Sequence, residues 1–312
     1  MRASFAIKIG SVVGVSAVGI TSAAVLYFYA QTKNLVLELM SARLLDIGKA
    51  SSSMFSDDVK ASMKRLKSTI VSDSHVYADR LQALEPGIPT ESMPENVAKK
   101  IMSGKDFQRL SQILRRIRYS SRTVLPPEGD LPPISRDSQD QPVIKFAYMH
   151  FSIPESPDHE IVRWLADADY DAPGEEVAVG SLYRVPQQAV KQAFKGKLAT
   201  EREFVQDKWG PSLTAAFPIL DRNGTVLAVV GLDMNVSNEA NRVEQLWYIC
   251  ITIIAFSLIF SVVLTIALTR VLVKPITALR QGAERVRARD FSTSISIKNR
   301  DELGLLAETF ND

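Results

Sequence analysis

Two long segments of the chain lack charged residues, whereas the rest of the chain mixes polar and apolar positions. Residues 9–30 and 246–269 contain no Asp, Glu, Lys or Arg. A helix rises about 1.5 Å per residue, so roughly 20 apolar residues cross the hydrocarbon core of a bilayer. We therefore predict transmembrane helices over 9–30 and 246–273, preceded by a short cytoplasmic segment, 1–8.

The alternative for the first span is a cleaved signal peptide. Arg2 and Lys8 resemble a basic leader, and Ala30 is a small residue that ends the apolar run. The run is longer than the usual signal core of about 7 to 15 residues, however, and Phe28 occupies a position where cleavage needs a small side chain. These features favour an uncleaved membrane anchor.

Helical periodicity follows the first span. Residues 35–70 predict one long helix or two abutting ones, and 106–121 predict another. Both segments carry basic residues between the apolar positions, and we expect these basic residues to be solvated. The apolar positions are Phe55, Val59, Met63, Leu66 and Ile70 in the first segment and Phe107, Leu110, Leu114 and Ile117 in the second; the second carries Arg109, Arg115, Arg116 and Arg118.

The pattern changes after a Pro-rich loop at 125–142. β-branched and aromatic residues then predict five strands, with one short helix at 186–196. The Asn223-Gly224 pair predicts a tight hairpin between the last two strands. The fold class is therefore α+β, an antiparallel sheet flanked by helices. The predicted strands are 143–151, 160–169, 174–183, 212–220 and 225–236.

Charge and cysteine usage fix the expected orientation. The chain of 312 residues has a net charge of +2. Basic residues are dense directly after the second span, which predicts that this end is cytoplasmic and that 31–245 lies outside the membrane. The single cysteine, Cys250, lies within the second span. The outer segment therefore needs an ordinary hydrophobic core rather than disulfides, and thiol catalysis is excluded.

An acidic triplet is the strongest candidate for metal binding. Asp167, Asp169 and Asp171 begin like a calcium loop, but Ala172 and Ala178 occupy the positions where such a loop needs glycine and a bidentate glutamate. A polar loop at a strand end is the better interpretation. We therefore predict no metal site.

No catalytic constellation is evident either. His75, His150 and His159 are scattered, and no nucleophile motif or glycine-rich phosphate loop occurs. We expect ordinary core or surface histidines. The sequence predicts no catalytic residue and no cofactor in this segment.

Residues 205–237, with "DKWG" followed by "AAFPILDRNGTVLAVVGLDMNVS", resemble the C-terminal hairpin of Cache domains, the PAS-like extracytoplasmic sensors of bacterial receptors. The resemblance implies a single Cache module over 31–245, in which a long N-terminal helix leads into a curved sheet that holds a small ligand on its concave face. The candidate ligand-binding residues are Tyr148, Arg163, Asp167, Tyr183, Trp209 and Asp233. For each of them the alternative is a structural role, as a core aromatic residue or as part of an ion pair at the rim of the sheet.

In residues 274–312, apolar residues at 276, 279, 283 and 286 form an a/d seam, and Asp301-Glu302 supply negative charge at a helix start. This segment resembles the HAMP module, a dimeric parallel four-helix coiled coil. Arg289 stands where a glycine is common. The second helix breaks off after about three turns, and we expect an output domain beyond it. The matched positions are Pro275, Leu279, Asp290, Phe291, Asp301, Glu302, Gly304, Leu306, Phe310 and Asn311.

These features predict the sensory part of a bacterial inner-membrane receptor, with a periplasmic ligand-binding domain. The HAMP resemblance implies a homodimer, and Gly10 and Gly14 in the first span add weak support. Pro275, Leu279, Asp301, Glu302, Leu306 and Phe310 are the expected signal-transfer residues. The alternatives are a membrane-anchored extracytoplasmic enzyme and a stand-alone regulatory subunit that pairs with a separate effector. Nucleic acid is not an expected partner.

Overall fold

A computed structural model describes residues 5–73, 81–122, 128–134, 141–172, 177–290, 294–297 and 301–311. The chain divides into two compact units. One comprises 34–242, here called the outer unit, and the other comprises 1–33 with 243–312, here called the membrane unit. His75 and Phe291 lie outside the described residues.

Helices α1 and α2 account for the first helical segment. Helix α1 runs through the first apolar stretch and on to Ser52, and Phe55 lies buried in the short connection to α2. The segment 35–70 therefore forms two helices. Helix α3 was not predicted; it begins directly after Pro94, which serves as its N-cap residue. The bounds are α1 Phe5–Ser52, α2 Asp57–Ser72, α3 Glu95–Met102 and α4 Lys105–Ser120.

The sheet is antiparallel throughout, in the order β3-β2-β1-β7-β6-β4, with β5 paired to β6. Of the predicted strand at 174–183, residues 174–176 lie outside the described residues, and among the described residues 177–183 only Leu182 and Tyr183 belong to a strand, so the prediction is wrong for 177–181. Gly180 has a φ of +79°, which turns the chain just before β3. The strands are β1 Ile144–Ser152, β2 Ile161–Asp167, β3 Leu182–Arg184, β4 Ala199–Thr200, β5 Val205–Asp207, β6 Gly210–Leu220 and β7 Val226–Asn235, with helix α5 Gln188–Phe194 between β3 and β4.

The hairpin between β6 and β7 is confirmed, and its turn is one residue longer than the tightest type. The Asp221 side chain accepts hydrogen bonds from the backbone N–H groups of Asn223 and Thr225, at 2.9 Å each. Gly224 alone adopts a positive φ, of +81°. A three-residue loop needs the left-handed conformation only at its last position, so Asn223 keeps an ordinary backbone.

Each face of the sheet packs against its own layer. One face, with Met149, Leu165 and Val230, forms the main core with α1, α2 and α4. The opposite face, with Val162 and Ala216, packs against α5 and encloses a second apolar cluster. This second face is the one that carries the candidate site.

Two arginines predicted to be solvated are buried instead. Arg115 and Arg118 of α4 are each 4% exposed. Arg118 forms an ion pair with Asp169 and Arg115 with Asp171, and the Nε of Arg115 also donates to the Ala168 carbonyl. The periodicity could not show this, because the acidic partners come from the turn that follows β2. The other two arginines of the helix, Arg109 and Arg116, are exposed.

The membrane unit contains two helical stretches long and apolar enough to cross a bilayer. Within their most apolar windows only 6% and 11% of the residues are buried, which is unlike a core helix of a soluble protein. Helix α6 and helix α7 are joined by a π-helical turn, and Pro275 lies in the first turn of α7. The bounds are α6 Ser237–Leu268, the π-helical turn Thr269–Val273, α7 Lys274–Arg287 and α8 Glu302–Asn311.

The π-helical turn has a local reason. A proline inside a helix lacks the N–H for the preceding turn, and its ring crowds the carbonyl four residues earlier. Pro275 is buried immediately after the turn. The wider π-helical geometry relieves this crowding.

Gly14 lies at a contact between two helices of the same chain. A Cβ atom at Gly14 would meet the Ser261 side chain of α6 and lie 3.3 Å from the Thr265 hydroxyl. The glycine therefore lets α1 and α6 approach closely, as small residues do between membrane helices. This placement removes the support that Gly14 gave to a contact between two chains.

Candidate functional site

A cavity opens on the α5 side of the sheet. Five of the six predicted ligand-binding residues line it, together with Phe146 and Trp164, which the sequence analysis did not single out. The lining comprises Phe146, Tyr148, Trp164, Asp167, Tyr183, Trp209 and Asp233. The sequence held a signal for Phe146, since residues two apart on a strand share a face. Ligand binding by these residues remains a prediction.

An irregularity in the pairing of β1 with β2 brings Asp167 to the cavity. Tyr148 pairs with Asp167, and His150 pairs with Trp164, so β2 holds one extra residue between the two pairs. Such a bulge shifts the alternation of side chains by one. Trp164 and Asp167, three residues apart, therefore point to the same face of the sheet.

Arg163 is not among the residues that line the cavity. It lies next to Trp164 on β2 and shares its face with Leu165, which belongs to the main core. Its side chain is 2% exposed and its guanidinium lies 3.5 Å from the Ser92 hydroxyl. The expectation that Arg163 faces a ligand on the concave side does not fit this geometry, because adjacent residues of a strand point to opposite faces.

Asp233 is held by neighbours on both sides. One carboxylate oxygen accepts hydrogen bonds from the Tyr148 hydroxyl, at 3.1 Å, and from the Thr214 hydroxyl, at 2.7 Å. Gly231, which pairs with Tyr148, makes room for this arrangement, since a Cβ atom there would overlap the tyrosine ring. The cavity floor thus depends on a glycine in the middle of a strand.

Asp167 is buried with its two oxygens engaged. The indole N–H of Trp164 donates to one oxygen at 3.1 Å, and the backbone N–H of Asp169 donates to the other at 2.7 Å. Burial, with a smaller contribution from the negative charge of Asp169, raises the pKa of Asp167 to about 7. The nearest guanidinium that acts on it, Arg118, is already paired with Asp169.

His150 lies in the wall behind the cavity. Its ring is fully buried among three aromatic rings, with centroids 4.9 Å from Tyr148, 4.4 Å from Trp164 and 5.5 Å from Tyr183. Burial lowers the pKa of His150 to about 3, so the imidazole is neutral at physiological pH. It is therefore a core histidine.

The cavity has a buried floor and a half-exposed mouth. Phe146 and Trp209, with ring centroids 5.9 Å apart, form the mouth, and the other lining residues are buried. The free volume is about 10 Å³, close to the minimum that one water molecule requires. The aromatic side chains thus nearly fill the cavity, and a larger occupant requires one of them to move.

The predicted signal-transfer residues lie around the connector between α7 and α8. Asp301 caps α8, since its carboxylate accepts from the backbone N–H groups of Leu303 and Gly304, at 3.1 and 3.2 Å. Glu302 is the first residue of that helix. The expected helix start at these acidic residues therefore agrees with the structure.

Asn311 fastens the connector to α8. Its side chain accepts from the Ile295 N–H at 2.7 Å and donates to the Ile295 carbonyl at 2.9 Å. The Ile295 side chain lies against Gly282 of α7, where a Cβ atom would overlap it. The same hypothetical atom lies 3.4 Å from the Phe310 ring. The connector is thus held between both helices of its own chain.

Several apolar residues of α7 and α8 remain exposed. Leu306 is 52% exposed and Phe310 38%, and Ile276 and Val286 are similar at 46% and 42%. Leu279 is half-buried. Ile276, Leu279 and Val286 belong to the a/d seam that the sequence predicts, and a single chain leaves much of this seam uncovered.

Residues 267–312 match the HAMP domain family. The match begins before Lys274, so it includes the end of α6 and the π-helical turn. No solved structure matches the chain.

Three curated relatives match parts of the chain. A probable methyl-accepting chemotaxis protein of Bacillus thuringiensis is 26% identical over 145 residues, which is 44% of this chain and 24% of the relative. The sensor histidine kinase WalK of Bacillus subtilis is 24% identical over 143 residues, 44% of this chain and 22% of the relative. The heme sensor protein HssS of Staphylococcus epidermidis is 42% identical over 59 residues, 19% of this chain and 13% of the relative.

The matched parts span less than a quarter of each relative's length. The shared feature is thus a part of larger proteins that respond to signals. The chain therefore carries a HAMP domain at residues 267–312, and its similarity is to signal-transducing bacterial sensors.

Proposed function

We propose that this chain is the sensory part of a homodimeric receptor in the bacterial inner membrane, with the outer unit in the periplasm. In this proposal the outer unit is a Cache-type domain that binds a small molecule in the cavity. Helices α6 and α7 then relay the bound state to an output domain beyond residue 312. The antiparallel sheet that follows a long N-terminal helix supports the Cache assignment.

One observation carries the proposal. Strand β7 holds Asp233 on the cavity floor, and only Val236 separates the end of β7 from the start of α6. Helix α6 continues through the π-helical turn into α7, within the HAMP match. A displacement of β7 by a ligand would thus reach the HAMP helices through continuous secondary structure.

Signalling by a ligand requires that the ligand bind the two states of the receptor with different affinities. A ligand shifts a two-state equilibrium only as far as it binds one state more tightly than the other. The cavity supports such a difference in affinity, because its aromatic lining leaves little free volume and must rearrange around an occupant. The rearranged state is the one that the ligand stabilises.

The test separates binding from relay. The full chain in nanodiscs is screened by thermal shift against amino acids, carboxylates, amines and purines, and affinity is then measured by calorimetry. The relay is followed by disulfide cross-linking of Val286→Cys in a Cys250→Ser background. We expect a ligand to change the cross-linking rate between the two chains.

Leu279→Asp and Leu306→Asp test whether the apolar side chains of α7 and α8 transmit the signal. Each buries a charge in the proposed bundle and is expected to abolish the ligand-dependent change in cross-linking, while the affinity of the outer unit changes less than about threefold. Gln281→Asp, at an exposed position of the same helix, serves as the control. A normal response in both leucine variants would refute the relay, and silence across the panel would refute direct sensing.

A further inference from the structure

The cavity combines aromatic rings with carboxylates. Five of its seven described lining residues are aromatic and the remaining two are Asp167 and Asp233. No lysine, arginine or histidine occurs among these seven. Resting on the proposed sensing function, we propose that the ligand is a small organic ammonium ion, held between the two carboxylates and the aromatic rings.

The two carboxylates of the lining exclude anionic ligands. A carboxylate or phosphate ligand would meet two buried aspartates without a basic side chain from the described lining, and like charges in a buried site repel strongly. A cation has the reverse effect, because it offsets the cost of burying Asp167 and Asp233 in ionised form. The electrostatics thus select a positive ligand.

The aromatic rings select an organic cation over a metal ion. Ca²⁺ and Mg²⁺ require six or more oxygen ligands, and among the described residues no group of three or more His, Cys, Asp or Glu side chains is arranged to hold a metal. Aromatic faces instead attract alkylammonium groups, which is the usual basis of aromatic cages. Two indoles, two phenols and one phenyl ring provide such faces here.

Both aromatic rings of the mouth already contact an ammonium group. The Lys145 ammonium lies 4.6 Å from the centroid of the Phe146 ring, and the Lys208 ammonium lies 5.5 Å from that of Trp209. Lys145 also donates to the Trp209 carbonyl at 3.0 Å. A ligand ammonium would add a further contact of the same kind.

Trp209 is the side chain most suited to move aside. It lies in the two-residue turn between β5 and β6 and is only half-buried, whereas Tyr148, Trp164 and Tyr183 lie within strands. Its ring centroid lies 6.3 Å from that of Trp164. An ammonium ion would enter between these two indoles.

Calorimetry of the full chain in nanodiscs tests the proposal with matched probes. Choline and ethanolamine are the methylated and primary ammonium probes, 3,3-dimethylbutanol is the neutral isostere of choline, and acetate is the anion. We expect one or both ammonium probes to bind at least tenfold more tightly than the isostere. Asp167→Asn and Trp209→Ala should each weaken that binding at least tenfold, and exposed Glu203→Gln should change it less than twofold.

Proton release gives a readout that a merely structural role of Asp167 would not produce. At pH 6.5 part of the Asp167 carboxyl is protonated, and a bound cation expels that proton into the buffer. The apparent binding enthalpy should therefore differ between phosphate and Tris buffers, and this difference should vanish in Asp167→Asn. Equal enthalpies in both buffers would overturn the assignment of Asp167.

The outcomes separate this inference from the sensing function. Binding of the isostere or of acetate, without binding of either ammonium probe, would overturn the ammonium inference and leave ligand sensing intact. If none of these probes binds while another compound from the wider panel does, the ammonium inference is likewise overturned and ligand sensing stands. If no compound binds, both proposals are overturned.

Discussion

At the scale of single residues, the outer unit buries several ionisable groups in different states. Asp169 forms an ion pair with Arg118, whereas Asp167, two residues earlier, has a pKa raised to about 7. His150 is neutral because burial lowers its pKa to about 3. Each group makes stability depend on pH or on a particular partner.

Asp167 and His150 are expected to oppose each other between about pH 4 and 6.5. The folded state binds the Asp167 proton more tightly than the unfolded state does, so this group lowers stability as pH rises above 3.8. The folded state resists protonation of His150, so this group lowers stability as pH falls below 6.5. Each slope is about 1.4 kcal/mol per pH unit.

The variants reveal the two slopes separately. Relative to the parent protein, Asp167→Asn should lose stability by about 1.4 kcal/mol per pH unit as pH falls from 6 to 4, and His150→Phe should gain by a similar amount. Urea unfolding of the outer unit at several pH values measures both differences. Parallel pH profiles for all three proteins would contradict the burial of these groups.

Arg118 is the clearest stability determinant among the basic residues. Arg118→Ala leaves Asp169 buried without its ion-pair partner, which costs about 3 to 5 kcal/mol. Arg109→Ala removes an exposed arginine from the same helix and should cost less than about 0.5 kcal/mol. Denaturant unfolding measures both, and similar values for the two variants would show that Arg118 is not buried as described.

At the scale of elements, the end of α7 carries a strained residue. The N–H of Asp290 donates to the Arg285 carbonyl and that of Arg289 to the Val286 carbonyl, which is the Schellman pattern of helix termination. Arg289 takes the left-handed position with a φ of +62°. A glycine is usual there, because a side chain in this conformation costs about 1 kcal/mol.

Arg289→Gly should therefore stabilise the end of α7 by about 1 kcal/mol. Hydrogen exchange of the amides at 289 and 290 in the full chain should slow by roughly fivefold. Ala288→Gly, at a φ of −81°, is the matched control and should accelerate exchange instead. Faster exchange in Arg289→Gly would show that the arginine side chain itself stabilises this turn.

At the scale of the whole molecule, the two units have separate sources of stability. All buried residues of the two largest apolar clusters fall within residues 34–242. The membrane-length helices, in contrast, expose most of their apolar side chains. The outer unit thus contains a complete core of its own.

A segment comprising residues 34–242 is expected to fold without the membrane helices. It should give a single cooperative thermal transition and a near-ultraviolet circular dichroism signal from its buried aromatic rings. Removal of residues 34–52, which contribute buried Leu37 and Leu44 to the core, should abolish that transition. A broad, non-cooperative transition of the 34–242 segment would show that its core depends on the membrane unit.

Much of this organisation follows from local sequence alone. Charge-free runs predicted the two long apolar helices, β-branched and aromatic residues predicted four of the seven strands in the described residues, and Asn223-Gly224 predicted the hairpin. The helix-capping aspartate was likewise readable from its position. These features depend on neighbours within a few residues, so periodicity and turn chemistry are sufficient to identify them.

The site was decided by tertiary structure. Composition and strand position nominated five residues of the cavity, but the bulge in β2 determined that Asp167 faces it and that Arg163 does not. The burial of Arg118 depended on an aspartate 51 positions away. The sequence by itself determined most of the long helices and strands, whereas strand register and long-range pairing decided which side chains meet, because those depend on contacts between segments distant along the chain.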